Sequence, residues 1–510
     1  MLRGIRNLAR LFVMLRTLGR HDALFPLDAF GLGAAARALT RLFGGRGAEG
    51  RPGERLARAL QALGPSFIKL GQMLSTRPDL IGEEIAQDLS NLQDRLPPFD
   101  GAIARATVED ELEAPIAALF ECFDENAVAA ASIAQVHFAT TSDGRAVAVK
   151  VLRPGIEAAF ARDLDLYYWL AAWVERLQPA MRRLKPVEVV RTLDEMVAIE
   201  MDLRFEAAAA SELRENLAGD EGFRVPEVDW RRTAKRVLTI ARVEGIRIDD
   251  REALVAAGHD PHAIVEKAAR SLFNQVFRDG FFHGDLHPGN LFVDANGDIV
   301  AVDFGIMGRL DAETRRYIAE MLLGFLTSDY ARVADVHFEA GYVPASKSRA
   351  AFTQAARSIG EPLLDRPLNE ISIAQLLAQL FAVTKTFEME TQPQLLLLQK
   401  NMVLAEAIGR RLDPEANIWM LAQPLIEDWM RQNLGPEARL RDATADVLDI
   451  ARRLPRLIAA LESAAESAAR DARLQPSSLR AIDGGADRGG TTATFWIAIL
   501  ALALAILALG

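Results

Sequence analysis

The octapeptide His283-Gly284-Asp285-Leu286-His287-Pro288-Gly289-Asn290, followed after twelve residues by Asp303-Phe304-Gly305, decides the fold class of this chain. In kinase-type phosphoryl transfer, an Asp of the catalytic loop orients or deprotonates the attacking hydroxyl. An Asn five residues later holds one Mg²⁺, and the Asp of Asp-Phe-Gly holds another. The spacing therefore predicts a site for Mg-ATP, with Asp285 as the catalytic residue and Asn290 and Asp303 as metal ligands.

A short hairpin is predicted between the two motifs. Residues 290–294 and 298–302 each have a strand-like pattern, and Ala295-Asn296-Gly297 forms the turn between them. Such a hairpin brings both metal ligands to one place. Taken singly, these residues are explained as well by capped turns. The two histidines also suggest zinc, but the chain has one cysteine and no His-Glu-x-x-His or paired-cysteine spacing.

A lysine for the α- and β-phosphates lies upstream, on the apolar segment Val147-Ala148-Val149-Lys150. Residues 134–139 alternate like a strand, and residues 141–145 have the composition of a turn between the two segments. The pattern predicts an antiparallel hairpin with Lys150 facing the nucleotide and assisting catalysis. The alternative is that Lys150 is a solvated strand end.

An alanine-rich segment stands where protein kinases have a glycine-rich loop over the phosphates. Because alanine restricts the backbone torsions that glycine allows, we expect a stiffer loop, and selectivity for ADP over ATP becomes plausible. Taken alone, an alanine run is more typical of a helix, so the inference depends on its position. The predicted nucleotide-binding residues of the loop are Val128, Ala129, Ala130, Ala131, Ser132, Ile133, Ala134, Gln135 and Val136.

Residues 189–216 are predicted to form one long amphipathic helix that carries acidic residues. At about 100° per residue, Asp202 and Glu206 share a face of such a helix, whereas Glu200 is rotated away from Glu206. One carboxylate can therefore meet Lys150 while another meets a different partner. We assign Glu206 to Lys150.

The motifs together resemble those of the UbiB/ADCK family of atypical kinases. The match includes the Lys-x-Gly-Gln motif within Phe67-Ile68-Lys69-Leu70-Gly71-Gln72, and it covers residues 56–308 motif by motif. The remaining motifs that carry the resemblance are Ala129 to Ser132, Lys150, Glu200-Met201-Asp202, His283 to Asn290 and Asp303 to Gly305.

The resemblance implies an atypical kinase that binds ATP or ADP with Mg²⁺ and supports ubiquinone biosynthesis, with pathway enzymes or hydrophobic precursors as partners. It also implies that Lys69, Gly71 and Gln72 lie on an extension that covers the place of a peptide substrate. In the family, the glutamate of Glu-x-Asp is thought to engage this lysine, which implies a regulatory pairing of Glu200, with Asp202, at Lys69.

Several features depart from protein kinases. After Asp303-Phe304-Gly305 the chain passes directly into a helix start at Asp311, which leaves no room for an activation loop. Gly284 stands where an arginine would read an activation-loop phosphate. Protein substrates are therefore disfavoured, and a small-molecule kinase is one alternative function. A nucleotide-sensing scaffold, or a factor that extracts lipid precursors without turnover, is another.

Composition favours an intracellular, membrane-associated protein of more than one domain. Half of the 510 residues are hydrophobic, and the single cysteine, Cys122, excludes an internal disulfide. The net charge of −11 argues against a nucleic-acid partner.

Both ends of the chain carry membrane signals. Five arginines alternate with apolar residues in the first twenty positions, which is typical of a helix on an anionic leaflet, although an ordinary packed helix fits equally well. Residues 493–510 are uncharged and apolar, and as a helix they would span about 27 Å, enough for a tail anchor. The family often carries two such spans, which leaves two alternatives for the second: it is absent, or self-association replaces it. We expect the inner (cytoplasmic) membrane, with the catalytic part on the cytoplasmic side.

The predicted fold class is α+β, an atypical kinase-like fold with a small antiparallel-sheet N-lobe, a helical C-lobe, a helical N-terminal extension and one C-terminal transmembrane helix. The apolar periodicity of residues 373–381 and the run at residues 395–398 support the helical lobe. The predicted divisions are 1–50 (basic segment), 51–115 (extension), 116–244 (N-lobe), 245–474 (C-lobe), 475–492 (linker) and 493–510 (span).

Overall fold

The computed structural model describes most of the chain up to residue 434. The described residues are 2–25, 33–43, 49–75, 81–90, 92, 96–177, 185–361, 383–384, 386–389, 393–416 and 418–434. Those up to Arg431 belong to one compact unit. The predicted linker 475–492, the predicted span 493–510 and the periodic residues 373–381 lie outside the described residues. Within these limits, no helix is long and apolar enough to cross a bilayer.

The described strands lie between residues 120 and 309, and helices precede, separate and follow them. The described strands are β1 (Phe120–Phe123), β2 (Ala129–Ala130), β3 (Ala134–Thr141), β4 (Ala146–Leu152), β5 (Phe223–Arg224), β6 (Val237–Ala241), β7 (Ile246–Arg247), β8 (Phe281–His283), β9 (Leu291–Val293), β10 (Ile299–Ala301) and β11 (Met307–Arg309). The described α-helices are α1 (Leu2–Arg20), α2 (Gly33–Leu42), α3 (Pro52–Leu63), α4 (Pro65–Ser75), α5 (Glu83–Ser90), α6 (Gly101–Glu111), α7 (Ile116–Leu119), α8 (Ile156–Leu177), α9 (Pro186–Glu200), α10 (Leu203–Asn216), α11 (Arg251–Ala256), α12 (Pro261–Phe273), α13 (Ala312–Leu326), α14 (Tyr330–Glu339), α15 (Arg349–Gly360), α16 (Pro393–Leu412) and α17 (Ile418–Leu434).

An antiparallel sheet of five strands forms the N-lobe. Its order is β1-β3-β4-β6, with β2 paired to β3. The predicted hairpin of β3 and β4 is confirmed, and Val136 lies opposite Lys150 in its register. On β4, Val147, Val149 and Val151 are buried in a cluster that includes residues of α6. Since side chains alternate between the faces of a strand, this packing directs Lys150 to the opposite face.

A second, smaller sheet positions the metal-binding motifs. Its order is β5-β10-β9-β7, and β8 pairs separately with β11. The predicted hairpin between the motifs is confirmed, because β9 and β10 are antiparallel with Val293 opposite Ile299. In its turn, the Asp294 side chain accepts hydrogen bonds from the backbone of Asn296 and Asp298. Gly297 has a φ of 77°, which glycine adopts at little cost.

The prediction of one continuous helix over residues 189–216 is wrong. The segment divides into α9 and α10, and Asp202 stands between them with an extended backbone. Its side chain accepts a hydrogen bond from the Arg204 N–H, and the Leu203 N–H donates to Lys235 O at 2.8 Å. Asp202 is thus an N-cap, a role that an aspartate fills well. The 100° per residue argument does not apply across this break.

The N-terminal helix α1 packs on the protein along one side, which is one of the two alternatives that the sequence left open. Arg6 and Arg10 form ion pairs with Asp165 and Asp163 of α8, so one side of α1 packs on α8. The other side exposes apolar residues to solvent. These residues, at 64%, 55% and 56% exposure, are Ile5, Leu8 and Phe12.

Candidate active site

Lys150 lies at the centre of a carboxylate cluster. Its Nζ is 2.7 Å and 2.9 Å from the two carboxylate oxygens of Glu206 and 3.5 Å from Oδ2 of Asp303. The predicted pairing of Lys150 with Glu206 is therefore present in the structure. The α10 helix, which begins after the Asp202 cap, supplies Glu206, and the segment after β10 supplies Asp303.

Lys150, Glu206 and Asp303 alter one another's pKa values. Burial opposes the charge of Lys150, but Asp303 and Glu206 outweigh it and raise the Lys150 pKa. Burial raises the pKa of Glu206 against the opposing effect of Lys150. Burial also disfavours the ionised form of Asp303, yet Lys150 and the Gly305 N–H hold the Asp303 pKa below its usual value. Asp303 is therefore an anion at neutral pH, and its side chain is 46% exposed to the cleft.

His283 joins the catalytic loop to the Asp-Phe-Gly segment. Its Nδ1 accepts a hydrogen bond from the Asp285 N–H at 3.1 Å, and its Nε2 therefore donates to the backbone oxygen of Asp303. Gln275, from a π-helical turn before β8, accepts the His283 N–H at 3.0 Å. Burial lowers the pKa of His283, so the ring is neutral. The histidine acts as a structural link between the two motifs.

Asp285 and Asn290 face each other across the catalytic loop. Asn290 Nδ2 donates to the backbone oxygen and to Oδ2 of Asp285, both at 3.2 Å. With its nitrogen held in this way, the amide of Asn290 presents Oδ1 as a ligand. This oxygen and the Asp303 carboxylate are the donors that Mg²⁺ prefers when substrate phosphates complete its shell. In the described part of the chain, no group of three or more His, Cys, Asp and Glu residues is placed to hold a metal. The Asn290 amide oxygen and the Asp303 carboxylate are of the kind that suits Mg²⁺ bound to a nucleotide.

The alanine-rich loop is a tight β-hairpin. β2 pairs with β3 so that Ala129 lies opposite Val136 and Ala130 opposite Gln135. Arg153 fixes the loop, because its side chain donates to Ala131 O at 2.8 and 3.0 Å and its backbone N–H donates to the Ile133 carbonyl. Sequence reasoning missed this arginine. Its contacts give a physical basis for the stiff loop that the sequence predicts.

The predicted regulatory residues lie on two neighbouring elements. Lys69 of α4 forms an ion pair with Glu200 at the end of α9, at 2.9 Å, and both side chains are largely buried. Gly71 packs so tightly that an added Cβ would lie 2.7 Å from a methyl of Leu60. The Gln72 carbonyl accepts a hydrogen bond from Ser75. Asp202, predicted to join this group, caps α10 and forms an ion pair with Arg204 instead. Lys69 also contributes to lowering the Asp303 pKa.

Two further residues, Lys400 and Asn401 of α16, contact the catalytic loop and were missed by sequence reasoning. Asn401 is wholly buried, with Nδ2 donating to His283 O at 2.7 Å and Oδ1 accepting the Leu286 N–H at 3.1 Å. Lys400 Nζ lies 2.9 Å from Asp285 Oδ1. Both residues are more than a hundred positions from the loop. Their only signal in the sequence is that they follow the apolar run at residues 395–398.

Asn401→Ala should lower the free energy of unfolding by about 2–4 kcal/mol, because it leaves two buried backbone groups of the catalytic loop without partners. Urea unfolding followed by circular dichroism measures this change. Gln399→Ala is the matched control, because Gln399 lies two residues before Asn401 and is partly exposed. This substitution should change the free energy of unfolding by about 0.5 kcal/mol or less. Equal effects of the two substitutions would contradict the assigned role of Asn401.

The two lobes, the Lys150 cluster and the motif hairpin define the chain as a kinase-like protein. Comparison with known families agrees: residues 91–337 match the ABC1 atypical kinase-like domain, and residues 356–417 match the UbiB helical domain. The chain belongs to the ABC1/UbiB family of atypical kinase-like proteins.

Relatives of high similarity carry one name. The chain is 45% identical over 393 residues to a probable protein kinase UbiB of Marinobacter nauticus, covering 76% of this chain and 72% of the relative. It is 43% identical over 445 residues to a probable protein kinase UbiB of Xanthomonas campestris pv. campestris, covering 84% and 80%. Among solved structures, the Rv3197–erythromycin complex from Mycobacterium tuberculosis shares the fold at a TM-score of 0.52 and 24% identity, covering 78% of this chain and 98% of that one.

Proposed function

We propose that this chain is an atypical kinase or ATPase that uses Mg-ATP and supports ubiquinone biosynthesis at a membrane. The observation that carries the proposal is a chain of hydrogen bonds that joins Lys150 to Asp303, Asp303 through His283 to Asp285, and Asp285 to Asn290. The reaction is ATP hydrolysis or phosphoryl transfer to a low-molecular-weight acceptor. The ubiquinone role rests on family membership and on the name of the relatives.

Each residue has a distinct task in this proposal. Lys150, held in place by Glu206, binds the α- and β-phosphates. Asp303 and Asn290 hold Mg²⁺, which neutralises charge on the phosphates when bound. Asp285 accepts the hydrogen bond of the attacking hydroxyl or water and so orients it toward the terminal phosphorus.

The extension favours a small or lipid acceptor over a protein, because the family resemblance implies that it covers the place of a peptide substrate. The Lys69–Glu200 pair is largely buried, and removing one partner of such a pair commonly costs about 3–5 kcal/mol. The pair joins α4 to the end of α9, and breaking it would leave a buried charge. The intact set of phosphate- and metal-binding residues disfavours a non-catalytic scaffold, which is the second candidate function.

The surface of α1 supports a membrane location. Ile5, Leu8 and Phe12 are exposed, and Arg16 and Arg20 are exposed near the same face of the helix. An apolar stripe beside arginines fits the interface of an anionic leaflet. Together with the predicted span 493–510, this supports a place at the inner (cytoplasmic) membrane, with the lobes on the cytoplasmic side.

The test is phosphate release from ATP by the full chain, reconstituted in anionic or in zwitterionic vesicles, with Mg²⁺ or with a chelator. We expect release that requires Mg²⁺ and is faster with anionic lipid. Leu8→Glu, which places a carboxylate on the exposed stripe, should reduce the stimulation by anionic lipid without changing release in its absence. Tight nucleotide binding without phosphate release, in the presence of each acceptor that is tested, would favour the scaffold. Absence of nucleotide binding would refute the proposal.

A further inference from the structure

Lys400 is a second lysine at the reaction centre, supplied by the helical region rather than by the N-lobe. Its Nζ lies 2.9 Å from Oδ1 of Asp285, while the other carboxylate oxygen of Asp285 accepts from Asn290. The two side chains are 43% and 29% exposed, so the pair opens to the cleft. Lys400 belongs to the region that matches the UbiB helical domain, not to the kinase-like domain.

The position of Lys400 is fixed by its neighbour. Asn401 is wholly buried and bonds to the backbone on both sides of Gly284 and Asp285, at His283 and Leu286. Helix α16 therefore has one register against the catalytic loop. Ordinary exposed ion pairs are loosely held and contribute little to stability. Here the backbone of the lysine is anchored at the next residue, so its ammonium group is held beside Asp285.

Lys150, Lys69 and Lys400 come from three different elements and contact different carboxylates. Lys150 of β4 contacts Glu206 and Asp303, where the α- and β-phosphates and the metal are expected. Lys69 of α4 contacts Glu200. Lys400 contacts the carboxylate that orients the attacking oxygen. Because that oxygen must approach the terminal phosphorus, a cation at Asp285 lies where charge develops during transfer.

We propose that Lys400 is a catalytic residue that binds the terminal phosphate of ATP. The inference rests on the proposed function and deepens it. In the transfer step, the oxygen of water or an alcohol forms a bond to the γ-phosphorus, and the bond from that phosphorus to the β,γ-bridging oxygen breaks. The electron pair leaves with ADP, and the proton of the nucleophile passes to Asp285. The Lys400 ammonium group donates to an oxygen of the phosphoryl group and neutralises its charge.

The test compares two nucleotides that differ at the terminal phosphate. Lys400→Met keeps the length of the side chain and removes its charge. We expect it to weaken binding of the ATP analogue with an imido group between the β- and γ-phosphorus by about tenfold or more, since a charge-assisted hydrogen bond is lost. Binding of Mg-ADP, which has no terminal phosphate, should change less than about threefold. The turnover number for ATP should fall by about 10²–10³-fold.

Two variants serve as controls. Lys400→Arg keeps the cation and should retain most of the preference for the triphosphate analogue. Lys235→Met removes an exposed lysine that pairs with Glu157 away from the catalytic loop, and it should change neither affinity. Thermal unfolding of each variant checks that the fold is intact.

The outcomes separate this inference from the proposed function. If the unmodified chain binds both nucleotides and Lys400→Met weakens both equally, or neither, the assignment of Lys400 is overturned while the proposed function stands. If the unmodified chain binds neither nucleotide, the proposed function fails and the inference fails with it. A selective loss of the triphosphate analogue supports both.

Discussion

Asp285→Asn should reduce phosphate release from Mg-ATP by about 10²–10⁴-fold while leaving nucleotide affinity within a few-fold of the unmodified chain. The amide cannot accept the proton of the attacking hydroxyl. It keeps the size of the side chain, and its single amide oxygen can still accept one of the two hydrogen bonds that Asn290 and Lys400 donate to the Asp285 oxygens. The expected loss is therefore in turnover and not in binding. Single-turnover kinetics and nucleotide titration measure the two quantities separately.

A second variant, Asp303→Asn, tests the metal-binding role of Asp303. Asp303 is held ionised despite burial, chiefly by Lys150, and its carboxylate faces the cleft. Without that charge, we expect Mg²⁺-dependent nucleotide binding to weaken by at least about tenfold, because a carboxylate is the principal ligand for this hard cation. Asp335→Asn, at an exposed ion pair with Arg349, is the control and should change neither nucleotide binding nor phosphate release.

For the first variant, phosphate release retained by Asp285→Asn would contradict the catalytic role of Asp285.

Local patterns in the sequence predicted the parts of the site that the chain builds from near neighbours. The hairpins of β3 with β4 and of β9 with β10 follow from strand alternation and turn residues. The helix start at Asp311 is confirmed, since its side chain accepts the Thr314 N–H at 2.7 Å. In each case, the residues that determine the geometry lie within 18 positions of one another, the separation of Ala134 and Leu152 in the β3–β4 hairpin.

The helix boundary at Asp202 shows how a local signal can be overlooked. Apolar periodicity continues on both sides of Met201 and Asp202, so it predicted one helix. The structure ends α9 there, because Asp202 caps α10 and the Leu203 N–H bonds to Lys235, more than thirty residues away. The separate partners of Glu200 and Glu206 were predicted from a continuous helix. In the structure, Glu200 and Glu206 have separate partners because α9 ends at Glu200 and α10 begins at Leu203.

Contacts from distant segments could not be predicted in this way. Asn401 reaches His283 across 118 positions, and Lys400 reaches Asp285 across 115. No turn or periodic pattern connects them, and each is an ordinary polar residue after an apolar run. Only the packing of α16 against the catalytic loop brings them to the site.

The sequence explains only part of why a glycine occupies position 284. The sequence marks it as the place where protein kinases have an arginine, and that loss disfavours control by an activation-loop phosphate. The structure adds a steric cause. A Cβ at Gly284 would lie 2.7 Å from a methyl of Ile306, 2.8 Å from the Ile306 carbonyl oxygen and 3.0 Å from a methyl of Leu397. The same carbonyl accepts the Gly284 N–H at 2.8 Å, so the backbones are held close together.

Gly284→Arg, which introduces the residue common in protein kinases, should therefore prevent accumulation of the folded chain. Gly284→Ala should lower the free energy of unfolding by about 1–3 kcal/mol, because overpacking at a fixed backbone forces displacement of neighbours. Urea unfolding measures the alanine variant, and the yield of soluble, folded protein measures the arginine variant. Gly219→Ala, where an added Cβ would meet no atom within 4 Å, is the control and should change stability by about 0.5 kcal/mol or less.

A double variant separates the Leu397 contact at Gly284 from the two contacts with Ile306. Leu397→Ala removes the side chain from α16 but leaves the Ile306 methyl and carbonyl in place. If the Ile306 contacts dominate, Gly284→Ala should cost nearly as much in the Leu397→Ala background as in the unmodified chain. Recovery of most of the lost stability would instead place the constraint on α16. In either case the glycine is required by packing, so restoring the arginine alone cannot convert this catalytic loop into one controlled by an activation-loop phosphate.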